Sequence, residues 1–222
     1  MENHIVKIIS VEPVTHDVMR FTIQKPEGFK FAPGQATEVS INTPALKNEK
    51  RPFTFTSLND NKHLEFVIKI YDSHNGVTKE LGKLKHGDEL IIRDVWGAIE
   101  YKGEGVFIAG GAGITPFIAI LRQLQADGKI ANNKLIFTNK TEKDIILKKE
   151  FKEMLGKNFI NTLTDEKKEG YENSRIDYTF LKETIDNFKQ HFYVCGPPQF
   201  VTAISEALTQ LGAKTDAVIF EK

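Results

Sequence analysis

The sequence has one cysteine, one tryptophan and no excess of either charge among its 222 residues. A lone thiol, Cys195, excludes an intramolecular disulfide, an all-cysteine zinc site and a cysteine-held iron–sulfur cluster on this chain. Any redox work therefore needs an organic cofactor. The 30 basic and 30 acidic residues cancel, and each part cancels when the chain is divided near residue 103, so no basic domain is offered to a nucleic-acid backbone. Apolar runs such as VFIAG fall far short of the roughly 20 residues that a membrane-spanning helix needs. Met1 to Ser10 alternates instead of placing an apolar block behind a basic end, so no signal peptide is expected. No G-x-S-x-G or HExxH is present, and His4, His16, His63, His74, His86 and His191 form no ligand-spaced pair, which argues against a hydrolase and against a metal site. What remains is an ordinary globular composition, 40% apolar and 27% charged, and the expectation of a cytoplasmic enzyme or binding protein.

The first hundred residues read mostly with period two. Strands are expected over Ile5 to Val14, Asp17 to Gln24, Ala36 to Ile41, Phe53 to Ser57, Leu64 to Tyr71 and Glu89 to Arg93, separated by turn signals such as KPEG, FAPGQ, SLNDN and KHGD. That spacing suggests a small antiparallel barrel or sandwich. Gly76 to Lys85 interrupts it with helical spacing of Val77, Leu81 and Leu84. From Gly105 a continuously apolar run is followed by apolar residues at helical intervals over Ile114 to Asp127, and strand and helix then alternate to the end. This is the pattern of a doubly wound α/β parallel sheet. The boundary is placed in the polar stretch Glu100 to Glu104, giving domains 1–101 and 102–222.

Four segments carry candidate chemistry. GGAGITP places Gly110, Gly111 and Gly113, then Ile114, Thr115 and Pro116, between a strand and a helix. Thr115 is expected to cap that helix and Pro116 to open it, leaving free backbone N–H groups for a dinucleotide. The alternative is a tight turn with no ligand. Cys195, Gly196, Pro197 and Pro198 end a later strand at the carboxyl edge, where open parallel sheets bind ligands; a buried, inert thiol is the plainer reading of Cys195. RPFTFTS (Arg51 to Ser57) combines a guanidinium, aromatics and hydroxyls. Alternation sends Arg51, Phe53 and Phe55 to one side and Thr54 and Thr56 to the other unless the strand bulges at Pro52. Phosphate for the arginine and a flat heterocycle for the aromatic describe a flavin nucleotide, while an edge strand with a surface arginine is the alternative. Asn75, Gly76, Val77 and Thr78 open the isolated helix and either receive a phosphate or simply cap it. Lys79, Lys83 and Lys85 follow, most simply as a solvated face.

In order and spacing, FAPGQ at 31–35, RPFTFTS at 51–57, NGVT at 75–78, GGAGITP at 110–116 and CGPP at 195–198 resemble the ferredoxin–NADP(+) reductase family, over nearly the whole chain. The chain is similar to a short flavodoxin-reductase-like member. The resemblance implies an FAD-binding barrel, then an NAD(P)-binding domain, with the flavin in the cleft between them. Carried over by position, Arg51 and Pro52 would sit at the FAD pyrophosphate and Phe53 would stack on the isoalloxazine. Thr54 would place its hydroxyl near flavin N5, and the backbone of Ile68, Lys69 and Ile70 would meet the ring edge. Gly76, Val77 and Thr78 would hold phosphate. Gly110, Gly111, Gly113, Ile114, Thr115 and Pro116 would receive the nicotinamide nucleotide, and Cys195, Gly196 and Pro197 would border its pocket. Thr54 and Cys195 are then the candidate catalytic residues, and Phe220 is the candidate for a C-terminal aromatic over the flavin.

The cofactors would carry the reactivity, and the protein would stack two rings at reacting distance. With no cluster of its own, the chain is expected to pass electrons to a separate carrier such as flavodoxin or ferredoxin, and to work as a monomer. Lys140, with Lys167, Lys168 and Arg175, could meet the 2′-phosphate of NADPH; Asp165, beside Thr164, favours the ribose hydroxyl of NADH. Two alternatives stay open: an NAD(P)H-dependent reductase of free flavin, and a nucleotide-binding regulatory module without turnover.

Overall fold

The computed structural model describes residues 3–72, 76–97, 99–214 and 218–220. It divides into two compact units, residues 1–97 with 115–123, and residues 98–114 with 124–222.

The first unit is built on strands β1 (His4–Pro13), β2 (Val18–Gln24), β3 (Ala36–Ile41), β4 (Arg51–Thr54), β5 (His63–Lys69) and β6 (Glu89–Trp96), with the short helix α1 (Val77–Leu81) before β6. The six strands pair antiparallel in the order β4-β3-β6-β1-β2-β5. The two end strands then approach each other. Thr56 N donates to Glu65 O at 2.9 Å, and Glu65 N donates to Ser57 Oγ at 3.1 Å, which curls the sheet into the expected barrel. Phe21, Phe29, Phe31, Phe55 and Phe66 are buried together, with Phe55 centred 4.4 Å from Phe31 and 5.1 Å from Phe66. Each phenyl taken from water contributes about 1.5–3 kcal/mol, so these rings hold the barrel from inside.

Two local expectations move. The strand expected over Phe53 to Ser57 lies at Arg51–Thr54. β4 is an end strand of the sheet, where Pro52 costs no ladder bond. Past Thr54 the chain leaves β3, with Phe55 N on Gln35 O at 3.0 Å, and crosses to β5. Simple alternation therefore fails here: exposure falls steadily from Arg51 to Phe55, and Thr54, Thr56 and Ser57 are also buried. The helix expected over Gly76 to Lys85 stops at Leu81 and buries Val77 and Leu81.

The second unit contains β7 (Gly105–Gly110), a 3-10 turn (Gly111–Ile114), β8 (Lys134–Asn139), α3 (Lys148–Leu155), β9 (Phe159–Leu163), α4 (Tyr178–Thr184), β10 (His191–Cys195), α5 (Pro198–Gln210) and β11 (Val218–Phe220). Helix α2 (Thr115–Ala126) follows the 3-10 turn and is shared in sequence between the units. The strands are parallel in the order β11-β10-β7-β8-β9. Every residue of β7 is buried, which is why its sequence is apolar without alternation. Strand order runs outward from β7 in one direction through β8 and β9 and in the other through β10 and β11, so the switch point lies between β7 and β10. At the far end of these strands Tyr193 Oη accepts from Lys102 N at 2.9 Å and Gly103 N at 3.1 Å and donates to Gly103 O at 2.8 Å. Burial, partly offset by those two backbone donors, raises its phenol pKa. Among the described residues no helix is long and apolar enough to cross a membrane.

Candidate cofactor sites

In the second unit, the turns after β7 and β10 flank the switch point. The turn after β7 winds directly from a 3-10 helix into α2. Thr115 is therefore the first residue of the helix and not its extended cap, and Pro116 is the second, still within the turn that needs no N–H. Gly111 has φ of +53°, a conformation that favours glycine. Gly113 is required for a different reason. A Cβ there would lie 2.4 Å from Cys195 O and 2.6 Å from Gly196 Cα, so the missing side chain makes room for the neighbouring backbone. Gly110 and Gly196 likewise face Phe200, where a Cβ would come within 3.3 and 2.8 Å of its ring. The sequence offers these glycines as space for a ligand; in the structure the room at Gly113 and Gly196 is taken up by neighbouring protein atoms, and Gly110 stands close to Phe200 and Pro197. Cys195 is 5% exposed, and Gly196 and Pro197 are progressively more open.

The carboxyl ends of β8 and β9 add residues that no motif announced. Gly110 pairs with Thr138, and Thr138 with Thr162, which puts the two threonines side by side on one face. Thr138 Oγ1, Thr162 Oγ1 and Asn139 Nδ2 are buried with no hydrogen-bond partner. Thr162 is wholly buried and Asn139 6% exposed. Buried polar atoms left unpaired cost about 1–3 kcal/mol each, so their gathering at the ligand-binding end of a parallel sheet fits a polar ligand such as a nucleotide.

Beyond these strands Thr164 N donates to Asn139 O at 3.0 Å, and Asp165 N donates to Lys140 O at 2.9 Å. Lys140 and Asp165 are exposed neighbours. Lys168 is committed elsewhere. It pairs with Glu142, which also takes Lys148 at 2.5 Å and the Tyr171 hydroxyl at 2.6 Å. Lys148, then Lys168 and Tyr171, hold the Glu142 carboxyl down to a pKa of about 2. Lys167 and Arg175 are exposed.

In the first unit, Arg51 opens β4 with its guanidinium exposed. Its Nη1 donates to Lys50 O at 2.6 Å, and Glu49 stands 4.0 Å away. Pro52 is exposed, and Phe53 is half-buried, 6.4 Å from Phe66 between ring centroids. Thr54 is only 7% exposed, yet its hydroxyl has no hydrogen-bond partner among the described residues. The adjoining edge of β5 refines the expectation for Ile68 to Ile70. Ile70 N donates to Asp17 O at 2.8 Å, and by the antiparallel register Ile68, opposite Met19, also turns its backbone groups towards β2. Those of Lys69 and Val67 point the other way, as Glu65 does towards Thr56. The backbone groups of Val67 and Lys69 therefore face away from β2, whereas those of Ile68 and Ile70 are turned to it. The Lys69 ammonium pairs with Asp17 at 2.8 Å. Gly76 precedes α1 with open space where a Cβ would be, and its carbonyl accepts from Lys79 N at 3.1 Å. Val77 is buried, leaving only its backbone to a ligand, and Thr78 is half-buried. Asn75 lies outside the described residues, as do Glu221, Lys222 and the side chain of Phe220.

A barrel with an exposed arginine, a half-buried aromatic and an orphan hydroxyl, followed by a parallel sheet with glycine turns at its switch point, defines a two-part dinucleotide-binding protein. An FAD-binding domain model matches residues 3–94, and an oxidoreductase NAD-binding domain model matches residues 107–206. The chain is 26% identical to the reductase component of propane 2-monooxygenase from Rhodococcus jostii, over 97% of this chain and 62% of that protein. It is 31% identical to NADH-cytochrome b5 reductase 2-A of Vanderwaltozyma polyspora, over 89% of this chain and 72% of the relative. It thus spans about three fifths of the first of these relatives. A ferredoxin NADP+ reductase from Neisseria gonorrhoeae, solved with bound FAD and NADP, shares the fold with a TM-score of 0.87 at 19% identity, covering 100% of this chain and 98% of that one. The chain belongs to the ferredoxin–NADP(+) reductase family of flavoprotein oxidoreductases that bind FAD and a nicotinamide nucleotide.

Proposed function

We propose that this protein oxidises NADH and passes the electrons, through bound FAD, to a separate one-electron carrier. The observation that carries the reading is Thr54, a residue 7% exposed whose hydroxyl has no partner among the described residues, at the barrel position where the family sets a hydroxyl beside the flavin. Residues 1–101 would form the FAD-binding part and 102–222 the nicotinamide-nucleotide part. FAD supplies the chemistry that links a two-electron hydride donor to a one-electron acceptor.

The protein's own contribution is binding and orientation. Arg51 pairs with the pyrophosphate, and a guanidinium can do so through two parallel bonds. Phe53 lies against the ring system, Thr54 directs its hydroxyl to the flavin's reacting edge, and the outward backbone groups of Lys69 and Val67 meet the ring's polar edge. Gly76, Val77 and Thr78 present main-chain groups to phosphate. On the nicotinamide side the Gly110–Pro116 turn and the Cys195–Pro197 turn bracket the nucleotide, while Thr138, Thr162 and Asn139 satisfy their orphan atoms on it. Asp165 suits the ribose hydroxyl and repels a 2′-phosphate, and Lys168 is held on Glu142, so NADH is favoured over NADPH. Several relatives are named for cytochrome b5, which makes that small haem protein the first carrier to try, beside flavodoxin and ferredoxin.

Purified protein should retain FAD through gel filtration, and anaerobic NADH should bleach the flavin faster than NADPH does. Loss of flavin on the column would favour a free-flavin reductase. A protein that takes up no FAD overturns the reading. Cytochrome b5, flavodoxin and ferredoxin, each added to the reduced enzyme, identify the carrier by which one is reduced at a rate matching turnover.

A further inference from the structure

Arg93, on β6, is 5% exposed, and its guanidinium reaches across β3 to the loop 42–50. Its Nη2 donates to Ser40 Oγ at 2.9 Å and to Lys47 O at 3.1 Å, and Nη1 donates to Ile91 O at 3.3 Å and Glu38 O at 3.4 Å. Ser40 Oγ itself donates to Lys47 O at 2.9 Å. The backbone of Arg93 is set by Thr37, whose Oγ1 accepts from Arg93 N at 2.9 Å and donates to Arg93 O at 2.8 Å. This occurs where the β3–β6 register breaks between Thr37 and Val39. All four guanidinium partners are neutral. Among the described residues no carboxylate pairs with Arg93, and the nearby Glu38 carboxylate is taken by Lys50 at 3.1 Å.

A buried cation without a counter-charge is costly. Four neutral acceptors take bonds from its two Nη groups but leave its charge in place, in surroundings where a charge acts over a longer range than in water. Holding a loop would need only a neutral donor. The loop it holds runs directly into Arg51, and Lys47 O is the point of attachment. We propose that Arg93 is a positioning residue for the dinucleotide phosphates: it fixes loop 42–50 so that Arg51 meets the pyrophosphate, and the anion supplies the missing counter-charge. The proposal rests on the reading of Arg51 as the pyrophosphate ligand.

The test compares two flavins on the apo-protein, FAD with its pyrophosphate and riboflavin with none, by quenching of flavin fluorescence. Arg93→Met should weaken FAD by at least about tenfold, the scale of one charge-assisted hydrogen bond, and leave riboflavin within about twofold. Arg93→Lys, which keeps the charge, should recover part of the FAD affinity. Equal weakening of both flavins, or unchanged FAD binding with only a lower melting temperature, would reduce Arg93 to a structural clamp. Should Arg93→Met not fold, Ser40→Ala decides. It keeps the charge and removes the Ser40 bonds to Arg93 and to Lys47 O, so that the loop hangs on the direct Arg93–Lys47 bond alone; FAD should weaken a few-fold with riboflavin unmoved, and unaltered FAD affinity overturns the proposal. A wild-type protein that binds neither flavin overturns the flavoprotein reading and this proposal together, whereas Arg51→Ala weakening FAD beside an inert Arg93→Met sinks this proposal alone.

Discussion

Replacing Gly113 by alanine adds one carbon in the worst available place. Its Cβ would stand 2.4 Å from Cys195 O, 2.6 Å from Cys195 C and 2.6 Å from Gly196 Cα, and backbone cannot rotate away as a side chain can. Separating these atoms to ordinary contact needs roughly an ångström of movement between two turns fixed by neighbouring parallel strands, so the cost should reach the range of overpacking, about 1–3 kcal/mol. For a unit of this size that lowers the melting temperature by about 3–12 °C. Gly111→Ala is the control. There a Cβ meets nothing within 4 Å, and only the φ of +53° is at stake, worth about 1–2 kcal/mol. The two effects differ in kind. Gly113→Ala should displace the Cys195 turn, visible as faster amide hydrogen exchange at 194–197 and slower flavin reduction by NADH, whereas Gly111→Ala should act on its own turn and leave exchange at 194–197 unchanged. A Gly113→Ala protein with wild-type melting and wild-type exchange at 194–197 would refute the claim that the two turns pack backbone to backbone.

Other outcomes follow from contacts already described. Arg51→Ala should weaken FAD binding by about 1.5–3 kcal/mol, the scale of charge-assisted hydrogen bonds to phosphate, as measured by flavin fluorescence; unchanged affinity would place the phosphate elsewhere. Cys195→Ala should slow flavin reduction in stopped flow while the bound FAD stays, and an unchanged rate would leave Cys195 a packing residue. Glu142 titrates near pH 2 when folded, below an ordinary carboxyl. Its stabilisation is therefore complete above its unfolded pKa and is lost as pH falls towards 2, so acid melts of wild type and Glu142→Gln should converge over that window. Tyr193→Phe removes three hydrogen bonds and should cost about 1–3 kcal/mol. Because the folded phenol pKa is raised, the tyrosine's contribution holds below its unfolded pKa and fades as pH climbs through the folded value, so the mutant's deficit should shrink only in strong alkali.

Much of the fold is legible because periodicity is a local property. Val6 and Ile8 alternate with exposed residues, and GVFIAG is apolar throughout because β7 is covered on both faces. Motif glycines also reveal themselves, although not their purpose: nothing in GGAGITP says that Gly113 is small for the sake of Cys195. The rest is hidden where contacts are long in sequence. Arg122 Nη1 reaches Thr56 O and Glu65 Oε1, both at 2.7 Å, across 66 and 57 positions. No window around Arg122 could show that, nor could one around Arg93 show its hold on Lys47. Thr138 and Thr162 look like unremarkable strand residues until the β8–β9 register sets them side by side. The strand expected over Phe53 to Ser57 begins two residues earlier and ends three earlier, because the exit from β4 depends on where β5 stands, not on the segment itself.

The outward groups of Val67 and Lys69 have one more consequence. A strand with a bare backbone edge is a template for another strand, and natural proteins commonly blunt such edges with charge. Here the only charge on the stretch is Lys69, already spent on Asp17. A flavin ring laid along this edge, as proposed above, would compete with the β-strands of neighbouring molecules for the same donors and acceptors. Flavin supply during synthesis would then govern how much of the chain stays dispersed, and cofactor starvation would show first as self-association, before any loss of fold.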